Sequence, residues 1–208
     1  MARVDDYIEA QKIAVATLKQ QPLADIIRRS GFESDDDDST SIRIPFLDRN
    51  YRVDTPQFEF NDVDNEAVEV PIQEQVLILH YLLGVTPFPQ AGDWVPYREI
   101  PGASLYHSVF VKRAADPLKK VFGQNISGFT NTSSMLNGRP VDFGDAAFEF
   151  LLFPRVPIQL ILHEGDEEFP PEANILFDKS ISRYLSPEDI AWLAGMLVYR
   201  LIALSHSS

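Results

Sequence analysis

"AFEFLLFPRVPIQLILHEG", residues 147–165, decides the class of this fold. Apolar residues run almost continuously on both sides of Pro154-Arg155, so the stretch reads as two largely buried strands. Upstream, "SIRIPFLD" (41–48), "YRVD" (51–54) and "QFEFND" (57–62) alternate apolar and polar residues with turn residues between them, the pattern of half-buried strands. Helical spacing surrounds these strands. Residues 4–20 place Val4, Ile8, Lys12 and Val15 roughly in line, with Tyr7, Ala14 and Leu18 beside them. "PLADIIRRSG" (22–31) begins on a proline in the first turn and stops at Gly31, and residues 71–84 carry Ile72, Val76, Leu79 and Leu83 between Pro71 and Gly84. At the C-terminal end Ser186 reads as an N-cap, Pro187 as the first helical residue and Asp189 as the third, close to a capping box. Trp192, Leu193, Met196, Leu197, Leu201 and Leu204 follow with only Arg200 charged, so this helix belongs in the core. The expectation is an α+β fold: a single domain over residues 1–208, with a mixed or mostly antiparallel sheet covered by helices and a buried C-terminal helix.

The 208 residues are 45% hydrophobic and 11% aromatic, which supports a packed core. A chain of this length buries about 70% of the surface its unfolded state exposes and needs no disulfide or metal staple. There is no cysteine. That excludes thiolate nucleophiles, cysteine-ligated zinc and iron–sulfur clusters held by this chain. The first twenty residues carry acids early and lack the apolar core of a signal peptide, and "IAWLAGMLVYRLIAL" is too short to span a bilayer and contains Arg200. The expectation is therefore a cytoplasmic, soluble protein with no membrane partner.

The net charge of −13 is unevenly spread. Residues 31–69 hold twelve acids against three arginines, and residues 163–178 hold six acids and no lysine or arginine. Residues 98–120 reverse the sign, with Arg98, Lys112, Arg113, Lys119 and Lys120 against Glu99 and Asp116. An acidic protein repels phosphate backbones, so nucleic acid is not expected as a partner. The run "FESDDDDSTS" fails the EF-hand pattern, because Thr40 stands where the turn needs glycine and Phe46 where it needs a bidentate glutamate; residues 31–40 read as an acidic mobile loop. Residues 123–145, rich in Gly, Ser and Asn, read as a polar loop or lid. They contain no G-x-S-x-G, P-loop or dinucleotide fingerprint, so serine hydrolase and nucleotide readings have no support.

Two places carry candidate chemistry. The Pro101-Gly102 turn opens a helical stretch whose free N–H groups favour anions. Arg98 lies just before it, and Ser104, Tyr106 and His107 lie within its first turns, so Arg98, Gly102, Ser104, Tyr106 and His107 form a candidate site for a small anionic ligand. The second place is "HEGDEEFPPEANILFD" (163–178). Glu164, Asp166, Glu168 and Asp178 there supply hard oxygens of the kind Mg²⁺ or Ca²⁺ takes, whereas His163 and Glu164 point to opposite faces of a strand. The structural alternative is a solvated acidic turn stiffened by Pro170-Pro171. In that reading Gly165 adopts a positive φ and Asp178 ties the chain to a helix N-terminus.

"REIPGASLYHSVFVKRAADPLKKVFG" and "RVPIQLILHEGDEEFPPEANILFDKSISRYLSPEDIAWLA" together resemble the uncharacterised bacterial and archaeal family called domain of unknown function 3786. The family pattern is a Pro-Gly turn before an aromatic-bearing helix, then an apolar strand, a Gly-Asp-Glu-Glu-Phe-Pro stretch and a Leu-Phe-Asp. Here these are Pro101, Gly102 and Tyr106, then Gly165 to Pro170, then Leu176 to Asp178. The resemblance brings no established activity or cofactor. It implies, through relatives that carry an iron–sulfur domain, an association with anaerobic one-carbon or corrinoid metabolism. This chain, without cysteine, departs from those relatives, so any step that needs electrons involves a partner. Three functions stand at this point: a ligand-binding or accessory module, a metal-dependent hydrolase or lyase using the 164–178 carboxylates, and an acidic module that binds a basic partner protein.

Overall fold

The computed structural model describes residues 4–35, 38–84 and 90–206. The chain separates into two compact units, residues 1–89 with 183–185 and residues 90–182 with 186–208. Every strand pairing in both is antiparallel, and the class is α+β, as the patterning predicts; the strands fall into two sheets, one in each unit.

The first unit opens with α1 (Val4–Leu18) and α2 (Leu23–Ser30), continues through a four-stranded meander, β1 (Glu33–Asp35), β2 (Asp38–Phe46), β3 (Arg49–Asp54) and β4 (Glu59–Asp62), and closes with α3 (Ile72–Leu83). Period-two alternation does its work in the centre of the sheet. Ile42, Ile44 and Phe46 are buried while Arg43 and Pro45 are exposed, and Ile42 and Ile44 stand opposite buried Val53 and Tyr51. Helix α3 buries Val76 to Leu79, Tyr81 and Leu82. Three polar side chains of the interior find partners: the Tyr51 hydroxyl donates to Glu74 at 2.6 Å, the Tyr81 hydroxyl to the Ser30 carbonyl at 2.6 Å, and buried Asp62 meets Arg49 at 2.7 Å. The acidic run read as a loop over 31–40 supplies paired strand on both sides, Glu33 opposite Arg43 and Ser34 opposite Ile42; Asp36 and Asp37 lie outside the described residues.

The second unit is a five-stranded sheet in the order β5-β9-β8-β7-β6, from β5 (Trp94–Pro96), β6 (Arg139–Pro140), β7 (Ala146–Phe153), β8 (Val156–His163) and β9 (Glu172–Asp178). Strand β8 is central and buried from Val156 to Leu162, as its continuous apolar run demands. The helices are α4 (His107–Phe110), a π-helical turn (Val111–Ala115) and α5 (Asp116–Phe122) in one unbroken run, then α6 (Ile126–Met135) and α7 (Pro187–Ser205). The π turn packs against α7, with Gly195 facing Arg113. Helix α6 corrects the loop expected over 123–145. The Asn125 side chain caps its start by accepting from Gly128 N at 3.0 Å, and its Phe129, Thr132 and Ser133 are buried. Ser, Thr and Asn have weak helix propensity, which is why composition suggested a loop; tertiary burial outweighs it.

Helix α7 carries the full capping box. Ser186 Oγ accepts from Asp189 N at 3.2 Å and Asp189 Oδ2 accepts from Ser186 N at 3.3 Å. Ser186→Ala is expected to cost about 1 kcal/mol, and a chemical-denaturation midpoint measured against wild type reads it directly.

Candidate functional site

The Arg98–His107 pair is built on an aromatic foundation. After β5 the chain turns through a short 3₁₀ segment, Tyr97–Glu99, that buries Tyr97 to 1% exposure. The Tyr97 ring stacks on Phe110 with centroids 4.3 Å apart and planes 8° from parallel, and meets Phe177 of β9 edge-on at 6.0 Å. Its hydroxyl donates to the Pro187 carbonyl at 2.7 Å, and burial, with the nearby Tyr106 and Glu188 groups, pushes its pKa up to about 12. With Tyr97 held at both ends, its exposed neighbour Arg98 is delivered to a defined place.

Gly102 fixes the return of the chain. Its φ of 81° lies in the left-handed region, and a Cβ would sit 3.3 Å from Pro187 Cγ, so the turn needs glycine for conformation and for space. A second 3₁₀ segment, Ala103–Leu105, then leads to His107, the first residue of α4. Arg98 Nε donates to His107 Nε2 at 2.9 Å. That bond requires an unprotonated Nε2, which places the ring proton on Nδ1. Among the described residues no acidic side chain pairs with Arg98, so its two terminal nitrogens remain available as donors. The Tyr106 hydroxyl faces Glu188 of α7, whose negative charge and hydrogen bond raise the pKa of the phenol.

The structure thus pairs Arg98 with His107, while Tyr106 meets Glu188 and Gly102 lies against Pro187. Ser104 is exposed on the 3₁₀ segment. The backbone does not present the run of free amides that a long helix start would: Ala103 N donates to the Ile100 carbonyl and Tyr106 N to the Ala103 carbonyl, each at 3.0 Å. What anion affinity the region has comes from side chains. Sequence reasoning missed Glu188 and Tyr97. Glu188 sits within the cap of α7, and only contact with Tyr106 distinguishes it from any acid in a first helical turn.

The four carboxylates of the metal reading are not gathered, and among the described residues no group of three or more His, Asp or Glu side chains is arranged to hold an ion. Asp178 is 1% exposed, and its oxygens accept from the amides of Ala91 at 3.0 Å, Gly92 at 2.8 Å and Ser180 at 2.9 Å, as well as from the Ser180 hydroxyl. Asp166 Oδ1 accepts from Glu168 N at 2.8 Å and Phe169 N at 2.7 Å, and these two bonds lower its pKa. Glu164 and Glu168 are exposed, and Glu164 N donates to Asp145 at 2.8 Å. The expectation of a positive φ at Gly165 is also corrected: Gly165 is not among the positive-φ residues, and what it supplies is space, because a Cβ would stand 2.5 Å from Pro171 Cδ.

Among the described residues no helix is long and apolar enough to cross a membrane. No curated protein and no solved structure matches the chain. A family model described as Domain of unknown function (DUF3786) matches residues 22–200.

Proposed function

We propose that this chain, which belongs to the DUF3786 family, is a cytoplasmic binding or accessory module that holds a small carboxylate or phosphate at the Arg98–His107 pair. One observation carries the reading. Arg98 is exposed, it is oriented by an imidazole acceptor in place of a carboxylate, and its terminal nitrogens keep their donors for a ligand. A guanidinium whose Nε is already engaged presents a flat two-pronged face that matches the two oxygens of a carboxylate or phosphate. Tyr97, anchored on Phe110 and Pro187, fixes the chain from which Arg98 projects, which lowers the ordering cost of binding. The association with anaerobic one-carbon or corrinoid metabolism rests on the family resemblance alone. With no cysteine in the chain, redox chemistry in such a setting belongs to a partner.

Titration with inorganic phosphate and, separately, acetate, followed by NMR of the Arg98 Nε–H and the Tyr106 and His107 amides, tests the site. Saturable shifts at those groups are expected. Arg98→Ala should weaken binding at least about tenfold, the equivalent of about 1.4 kcal/mol, with Arg98→Lys intermediate because it keeps charge and loses the fork. Unshifted resonances in wild type, or equal affinity in Arg98→Ala, would refute the assignment.

A further inference from the structure

We propose that an open groove in the first unit, between the N-terminal turns of α1 and the segment entering α3, docks an amphipathic segment of another protein whose apolar residues are flanked by lysine or arginine. The groove has a volume of about 410 Å³ and is lined on one side by Val4 and Ile8 and on the other by Glu69, Val70, Pro71 and Ile72. Helix α1 buries no side chain before Ala14, so its first turns leave Val4 60% and Ile8 36% exposed at helical spacing. On the segment that leads to α3, Val68 is also 44% exposed. An exposed apolar pair of this kind, on the first turns of a helix whose fully buried side chains come only at Ala14 and Leu18, has the form of a surface that binds another chain.

The two glutamines of the groove are engaged within it. Gln11 Nε2 donates to Gln75 Oε1 at 2.6 Å, and Gln75 Nε2 donates to the Val70 carbonyl at 2.8 Å. Val4, Ile8, Pro71 and Ile72 are then the apolar contacts the groove offers to a partner's anchors. Charge selects the rest of the partner. Asp5 and Glu9 share the turns of Val4 and Ile8, and residues 63–72 carry Glu66 and Glu69 with no lysine or arginine; Lys12 is the one cation in residues 4–13. Such a rim attracts cationic side chains and repels a second copy of itself or an anionic membrane surface.

The probes are two synthetic helical peptides with leucine at every third or fourth position, one with lysine and one with glutamate at the remaining positions, each titrated against the ¹⁵N-labelled protein. The lysine peptide is expected to bind with shifts confined to residues 4–11 and 69–75, and more weakly as salt rises. Ile8→Lys and the double variant Glu9→Lys/Glu69→Lys should each weaken it at least about tenfold while melting within about 2 °C of wild type, since these positions are exposed. Shifts elsewhere, equal binding of the glutamate peptide, or an affinity unchanged by both variants would overturn the proposal. So would a self-association, read by analytical ultracentrifugation, that Ile8→Lys abolishes, because the groove would then serve a second copy.

Discussion

Replacing Asp178 with alanine is expected to lower the melting temperature by about 6–12 °C. The carboxylate lies at the end of β9, 1% exposed, and organises backbone that no ladder bond reaches: the Ala91 and Gly92 amides on the approach to β5, and the Ser180 amide and hydroxyl just after β9. Alanine leaves these donors without an acceptor, a loss of about 3 kcal/mol for bonds to a charged group, and each kcal/mol is worth about 2–4 °C in a domain of this size. Asp178→Asn should recover only part of the loss, because its amide nitrogen faces the Gly92 N–H, donor against donor. The pH dependence separates this role from simple packing. Burial by itself would raise the pKa of Asp178, but the Ser180 hydroxyl and the Ala91, Ser180 and Gly92 amides outweigh it and hold the pKa below the ordinary carboxylate value. A depressed folded-state pKa contributes stability that is present above the unfolded value, about 3.9, and is lost as pH falls through the folded one. The melting difference between wild type and Asp178→Asn should therefore be full at pH 6 and shrink below about pH 4. A difference independent of pH would mean the charge contributes nothing.

Asp178 also shows how far residue patterns reach. An acid ending a buried apolar run is legible as a tether, and the chain it ties does lead into a short helical turn, Lys179–Arg183. Its other partners, Ala91 and Gly92, stand 87 and 86 residues away, and no local pattern announces them. The same division runs through the fold. Strands β2, β3, β7 and β8 and helices α1, α3 and α7 follow from periodicity, because burying one face or both imposes a repeat on the residues themselves. Helix α6 does not follow, because Thr132 and Ser133 are polar residues buried by their surroundings. The division of the strands into two sheets is equally silent, since strand patterning records which face is buried and not which strands share a ladder.

In the candidate site, Arg98 and His107 are legible as a cation and an imidazole beside a Pro-Gly turn, but their bond is not. It depends on Gly102 taking a positive φ and on Tyr97 reaching Pro187, contacts set by the packing of α7. The carboxylates of 163–178 cluster in sequence and so offered both a metal and a solvated turn; in the fold β9 carries Asp178 to one end of its strand while Asp166 closes a turn on its own backbone.

That turn is the subject of the second large effect. Gly165→Ala is expected to destabilise by about 2 kcal/mol, the range of an overpacked site, and to lower the melting temperature by about 4–8 °C. The added Cβ would lie 2.5 Å from Pro171 Cδ and 2.7 Å from Pro171 N, and neither atom belongs to a side chain that can swing aside, because the ring is fused to the backbone. Nor can Gly165 retreat freely, since its amide donates to the Gly123 carbonyl at 3.2 Å and links the turn to the end of α5. By contrast, Asp166→Asn with Glu168→Gln should be nearly neutral. Asparagine keeps an oxygen for the Glu168 and Phe169 amides, both side chains are exposed, and two charges leave a crowded acidic segment of a protein of net charge −13. Thermal melts of the glycine variant and the carboxylate pair, each with Mg²⁺, Ca²⁺ or EDTA, decide what the segment is for. A large loss in the first and none in the second, with no response to metal, marks a turn held by shape. A cation-dependent rise in the wild-type melt that disappears in the carboxylate pair would instead show that these acids close around an ion.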